Sequence, residues 1–244
     1  MSGAPQAKPI VFAIDQIGSP VGQGVTNSTW VTLQALCKQG TSVSCWVEVE
    51  YICARLAMLS GLPVAPGVLV DVPDSNLGFV SLRFGSLSTT PAPIIPDDLA
   101  TEWPHLAALI YVFDQWIGNS DRHSANLAYQ GKDNAPIIFD HSHAFHTNGN
   151  RAELNNLAEH ERKPIGGHCL ASTFHSAPDL QSAIKHFSEI PESMWLLPIT
   201  ELETISLISN DESKNIREYL KSRQIGLATM VKSQLSATVS DWSI

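Results

Sequence analysis

Residues 103–116 are apolar on nearly every side, with Leu106, Ile110, Phe113 and Ile117 along one face, and they run straight into the polar turn Gly118, Asn119, Ser120, Asp121. A helix that is hydrophobic all round is buried rather than laid on a surface. The chain must therefore fold into a body thick enough to enclose this helix, which then delivers a polar loop from a rigid mount. With 244 residues, 43% hydrophobic and 16% charged, the composition is that of a globular protein able to do so.

The pattern ahead of the helix is different. Ile10 to Ile14 and Trp30 to Cys37 read as extended runs, with Gly18, Pro20, Gly22 and Gly24 as punctuation. Val49, Ile52, Leu56 and Leu59 then recur at helical spacing until Gly61 and Pro63 stop them. Residues 68–72 and 78–82 look like a strand pair. Pro91, Pro93 and Pro96 make residues 86–98 the expected hinge, because closely spaced prolines continue neither a helix nor a central strand. Beyond the buried helix, Ile137, Ile138 and Phe139 form a short strand ending at Asp140, and the chain from about Ala177 is expected to be helical.

Several classes of function are disfavoured. A net charge of −9 with only 15 Lys and Arg argues against nucleic acid as the main partner. No apolar run approaches the roughly 18 to 20 residues that cross a bilayer, so no membrane is expected. The N-terminus lacks the order of a secretion signal. Cys37, Cys45, Cys53 and Cys169 lack the short paired spacing of a zinc ribbon and read as reduced thiols of a cytoplasmic protein.

Phosphoryl transfer from ATP asks for hard oxygen ligands for magnesium, an acceptor for the proton of the attacking hydroxyl, and a cation on the phosphates. In protein kinases an Asp stands five positions before a metal-binding Asn, and a second metal-binding Asp ends a strand a little further on. Asp121 and Asn126 have that separation, and Asp140 directly follows Phe139. Asp121 would be the base; Asn126 and Asp140 would hold magnesium. The Asp and Asn alone do not decide this, since such pairs also cap backbone groups in ordinary turns.

The full string from Phe113 to Leu127, followed by Ile138 to Phe145, resembles the catalytic segment of HipA-like kinases, and more loosely that of phosphatidylinositol kinases. Glu50 to Ala57 with Gly61, Leu62, Pro63 and Val64 resembles the N-lobe helix of the same family and its following turn. Residues 190–195 and 216–223 resemble its C-terminal helices. The resemblance implies an α+β, protein-kinase-like fold of two lobes: a reduced N-lobe over residues 1–90 and a mostly helical C-lobe over 91–244. It implies ATP and Mg2+ as cofactors. It makes Glu50 the helix acid that pairs with a strand lysine on the phosphates, and Lys38 is the sole lysine between Lys8 and Lys132. Gly22 and Gly24 would begin a phosphate-covering loop. The implied reaction is phosphorylation of a Ser or Thr hydroxyl on a protein substrate. Because HipA-like kinases are often toxins, an antitoxin or regulatory partner is implied as well. Self-phosphorylation at Ser19, Thr26, Ser28 or Thr29 stays open.

Other roles compete. His123, Asp140, His141, His143 and His146 could form a metallohydrolase cluster, with His141 and His143 on one face of a strand. A non-catalytic kinase fold serving as an interaction module is a second rival, and nucleotidyl transfer a third. Within the loop, His123 is read as an orienting residue and Arg122 as half of a structural ion pair. Asp114, a lone acid in an apolar helix, needs a partner. Trp30, Trp46, Trp103 and Trp195 are read as core or interface residues.

Overall fold

Val49, Ile52 and Leu56 repeat at three- and four-residue spacing, and in the computed structural model of the chain they form the buried stripe of helix α1 (Trp46–Leu59). The structure describes residues 12–22, 28–73, 77–84, 92–130 and 135–242. Gly61, with φ of 76°, turns the chain out of α1 in the left-handed region where only glycine is unstrained.

Two small sheets lie ahead of and around α1. Strands β1 (Gln16–Pro20) and β2 (Thr29–Thr32) form an antiparallel pair. Strand β3 (Ala35–Gln39) joins β4 (Gly67–Val70) and β5 (Gly78–Leu82) in the order β3-β5-β4. Two sequence expectations need correction here. Of the strand expected from Ile10, Ile10 and Val11 lie outside the described residues, and 12–14 are not strand. The strand begins where a partner exists: Asp15 N donates to Thr32 O, and Gln16 pairs with Thr32. The single extended run over 30–37 is two strands broken at Leu33 and Gln34, because its halves pair with different neighbours, β1 and β5.

Of the expected hinge, residues 86–91 lie outside the described ones. Pro93 bridges to Ala128, and Ile94 N donates to Leu127 O. Residues 96–98 are helical rather than hinge, opening α2 (Pro96–Glu102). Proline lacks only an N–H that the first helical turn leaves unpaired anyway, and Asp97 and Asp98 favour the positive end of the helix.

Helix α3 (Pro104–Ile117) is the buried helix. It packs on α4 (Pro178–Ser188) and α6 (Asn210–Leu235), while α5 (Glu192–Thr204) packs on α1 and α6. One cluster of buried apolar side chains takes in α1, α3 and the three C-terminal helices. Trp195 lies in it and Trp103 against it; Trp30 and Trp46 are exposed. After α3 come the antiparallel strands β6 (Leu127–Gln130) and β7 (Ala135–Ile138). Turns and short 3-10 segments (Arg151–Asn155, Leu157–His160, Ala171–Thr173) then lead to α4. All four cysteines are free thiols. Among the described residues no helix is long and apolar enough to cross a membrane.

Candidate active site

At the end of α3, Gly118 takes φ of 64°, and a Cβ there would stand 2.0 Å from Tyr219 Oη and 2.7 Å from His146 Nδ1. Glycine alone can turn the chain here. Buried Asn119 then stitches the loop to the helix: its Nδ2 donates to Asp114 Oδ1 (2.9 Å), and its Oδ1 accepts from Asp121 N (3.2 Å). Asn126 Nδ2 donates to Asp121 O (3.0 Å). The main chain of Asp121 is thus held at both ends, while its carboxylate is 42% exposed. His143 Nδ1 stands 3.2 Å from Asp121 Oδ2, and His123 Nε2 stands 3.9 Å away.

The β6–β7 register pairs Leu127 with Ile138, and Phe139 N donates to Asn126 O (3.3 Å). Asn126 and Asp140 are therefore neighbours although 14 positions apart in the sequence. Strand β7 is tied in turn to the segment after α1, since Ile138 N donates to Pro63 O (2.8 Å) and Ile138 bridges to Val64. That contact carries Asp140 to α1 and β3.

There Lys38 Nζ reaches Asp140 Oδ1 (2.6 Å) and Glu50 Oε2 (2.7 Å), and Ser142 Oγ donates to Asp140 Oδ1 (2.7 Å). Glu50, whose side chain is 5% exposed, also accepts from the backbone N–H of His141 (3.0 and 3.1 Å) and faces its Nδ1 at 3.2 Å. Burial by itself would raise the Glu50 pKa, but His141 and the Lys38 ammonium outweigh it and hold the carboxyl below its ordinary value. Burial likewise opposes Asp140, yet Lys38 and Ser142 bring it down to about 2. Burial works against the Lys38 ammonium too, and the two carboxylates more than compensate, raising its pKa. All three groups are ionised at neutral pH.

Beneath the loop lies a second, fully buried polar group. Asp114 accepts from Arg122 Nε (2.8 Å) and Nη2 (3.2 Å), from Asn119, and from His168 Nε2 (3.0 Å). His168 Nδ1 accepts from Leu170 N (3.1 Å). The His168 proton is therefore on Nε2, and burial lowers its pKa so that it stays neutral. Despite burial, which by itself raises it, Asp114 is kept ionised chiefly by Arg122.

Lys38, Glu50 and Asp140 meet directly, and Asp121 and Asn126 share one loop beside Asp140. Asn126 and Asp140 suit a magnesium ion: Asn126 spends its Nδ2 on Asp121 O and keeps a neutral oxygen acceptor, and Asp140 is an anion with lone pairs beyond those engaged by Lys38 and Ser142. Gly22 is exposed, and Gly24 lies outside the described residues. The histidine cluster is not assembled. Strand β7 ends at Ile138, and Asp140 with φ of 59° turns the chain that follows, so His141 and His143 do not share a strand face. His141 turns inward to Glu50, His143 outward to Asp121, and His146 to Tyr219. Among the described residues no three His, Cys, Asp or Glu side chains are placed to hold a metal. Sequence reading missed Asn119, Ser142 and His168. The only signal for His168 was that Asp114 required partners.

A family model described as HipA-like kinase matches residues 38–222. The crystal structure of the Helicobacter pylori proinflammatory kinase CtkA is similar, with a TM-score of 0.63 at 11% identity over 91% of this chain and 96% of that one. HipA from the Shewanella oneidensis MR-1 toxin–antitoxin complex with HipB and operator DNA matches with a TM-score of 0.45 at 12% identity, over 97% of this chain and 69% of that one. No protein of curated function matches in sequence. At such identities the likeness to CtkA is one of fold, a mixed arrangement of small sheets and many helices.

Proposed function

This chain belongs to the HipA-like kinase family, and we propose that it transfers the γ-phosphoryl group of ATP to a Ser or Thr hydroxyl of a protein. The observation that carries this reading is the convergence of Lys38, Glu50 and Asp140 within 2.7 Å contacts, beside the loop that holds Asp121 and Asn126. Family membership supports the use of ATP, and usually of a divalent metal.

In this reading Lys38, held by Glu50, contacts the phosphates, and Asn126 and Asp140 hold magnesium. The ion would neutralise charge on the β- and γ-phosphates. Asp121 orients the acceptor hydroxyl and takes its proton as the new O–P bond forms and the bond to the β-phosphate oxygen breaks. Its carboxylate is exposed enough to meet a macromolecular acceptor, while its backbone is fixed from both sides. Orientation is most of what such a site contributes. Residues 1–90 and 91–244 would act as a reduced and a helical lobe closing on the nucleotide, with Gly22 and Gly24 in the covering loop. A cytoplasmic setting and the toxin half of a toxin–antitoxin pair belong to the same reading and rest on the family alone.

Calorimetry of ATP binding with and without Mg2+, comparing the intact chain with Asp140→Ala, tests the site. Magnesium-dependent binding lost in the variant is expected. Transfer of labelled phosphate to protein acceptors should then vanish in Asp121→Ala. ATP binding unaffected by Asp140→Ala, or full transfer by a folded Asp121→Ala, would overturn the reading. Binding without transfer to any acceptor would favour an interaction module.

A further inference from the structure

We infer that Arg122 is a positioning residue for the two metal-binding side chains, setting the separation of Asn126 and Asp140; the inference rests on the magnesium site proposed above. Arg122 is 1% exposed, so its guanidinium works entirely inside the protein. Through Nε and Nη2 it binds Asp114, which is itself pinned by Asn119 and His168. Its remaining nitrogen, Nη1, donates to two carbonyl oxygens: that of Asn126 (3.0 Å) and that of Phe139 (2.6 Å). One nitrogen therefore ties together the peptide groups that adjoin both oxygen donors.

The two carbonyls are not interchangeable with others nearby. The Phe139 carbonyl lies in the same peptide plane as Asp140 N, so holding it fixes the plane from which φ of Asp140 is measured. That φ is 59°, left-handed for a residue with a side chain, and such a conformation persists only when the surroundings over-determine it. The Asn126 carbonyl accepts from Phe139 N as well as from Arg122, which binds the β6 side of the site to the β7 side. Magnesium tolerates little departure from octahedral geometry, so its affinity depends on how firmly these two ligands are spaced. A planar, multi-donor guanidinium can serve a carboxylate and two carbonyls at once; a lysine in its place could satisfy Asp114 but not the fork.

The test is Mn2+ binding, followed by electron paramagnetic resonance in the presence of a non-hydrolysable ATP analogue, for the intact chain and for Asp140→Ala, Arg122→Lys and His168→Gln. Arg122→Lys is expected to weaken Mn2+ binding by about tenfold or more, the range typical of groups that orient metal ligands. His168→Gln removes another bond to Asp114 without touching either carbonyl. It should lower the melting temperature yet leave Mn2+ affinity within about twofold, well short of the loss expected for an orienting group. If Arg122→Lys does not fold, the double variant Asp114→Leu with Arg122→Met, which removes the buried charges together, takes its place with the same expectation. A folded Arg122 variant with intact Mn2+ affinity, or equal weakening in His168→Gln, overturns the inference. If Asp140→Ala binds Mn2+ like the intact chain, the metal assignment itself fails; if only the Arg122 variant is silent, the positioning role alone fails.

Discussion

Glu50 pairs with Lys38 and also accepts the backbone N–H of His141, in the segment after Asp140, and the Glu50→Gln variant separates the two roles. His141 is fully buried, and its N–H points at both oxygens of Glu50. A glutamine keeps one oxygen and sets an NH2 in place of the other, so at one of its two acceptor positions the His141 N–H faces a donor, and the negative charge opposite Lys38 is gone. Leaving the buried N–H short of an acceptor costs about 1–3 kcal/mol. Lys38 is one-third exposed and retains Asp140, so its share is at most about 1 kcal/mol. Glu50→Gln should therefore destabilise the chain by about 1–4 kcal/mol, or roughly 2–16 °C in melting temperature at this size. Lys38→Met leaves His141 served and removes only the two pairs of a one-third-exposed lysine, so it should cost about 1–2 kcal/mol. Both variants should lose phosphoryl transfer, so activity cannot tell the roles apart. Urea unfolding at neutral pH, monitored by far-UV circular dichroism, can. A Lys38→Met variant as destabilised as Glu50→Gln would refute the reasoning, because the lysine pair would then carry the energy.

Three other outcomes follow from the geometry. Gly118→Ala, which places a Cβ 2.0 Å from Tyr219 Oη at a positive φ, should cost more than about 2 kcal/mol by the same unfolding assay; a change under 1 kcal/mol would mean that Tyr219 yields. Asp140 has its folded pKa depressed to about 2, so its contribution to stability is present above its unfolded value near 3.8 and is lost as pH falls through about 2. The stability of the intact chain should fall more steeply across that window than that of Asp140→Asn, in which only the other depressed carboxyls, Glu50 and Asp114 among them, still titrate; parallel curves would contradict the Lys38 pairing. His143→Ala removes the imidazole 3.2 Å from Asp121 Oδ2, and kcat is expected to fall with ATP affinity unchanged. An unaltered kcat would mean that this exposed contact contributes nothing.

What the sequence by itself determined is the local part of the protein. The spacing of Val49, Ile52 and Leu56 made α1, an all-round apolar stretch made α3, and short-range separations placed Asp121 and Asn126 on one loop and Asp140 just beyond a strand. These are signals of one helical turn or one strand, carried by residues close in the chain. The tertiary structure alone decided which groups those residues meet. Asp140 takes a left-handed φ with no glycine to announce it, as do Phe145, His146 and Asn148, so the divergence of His141 from His143 left no mark in the sequence. Asp114 signalled that it needed partners, but His168 lies 54 residues away and is brought to it by the 3-10 turns before α4. Arg122 read as one half of an ion pair because its other contacts are backbone carbonyls. Every residue carries a carbonyl, and only the closing of β6 on β7 determines which two come within reach of one guanidinium.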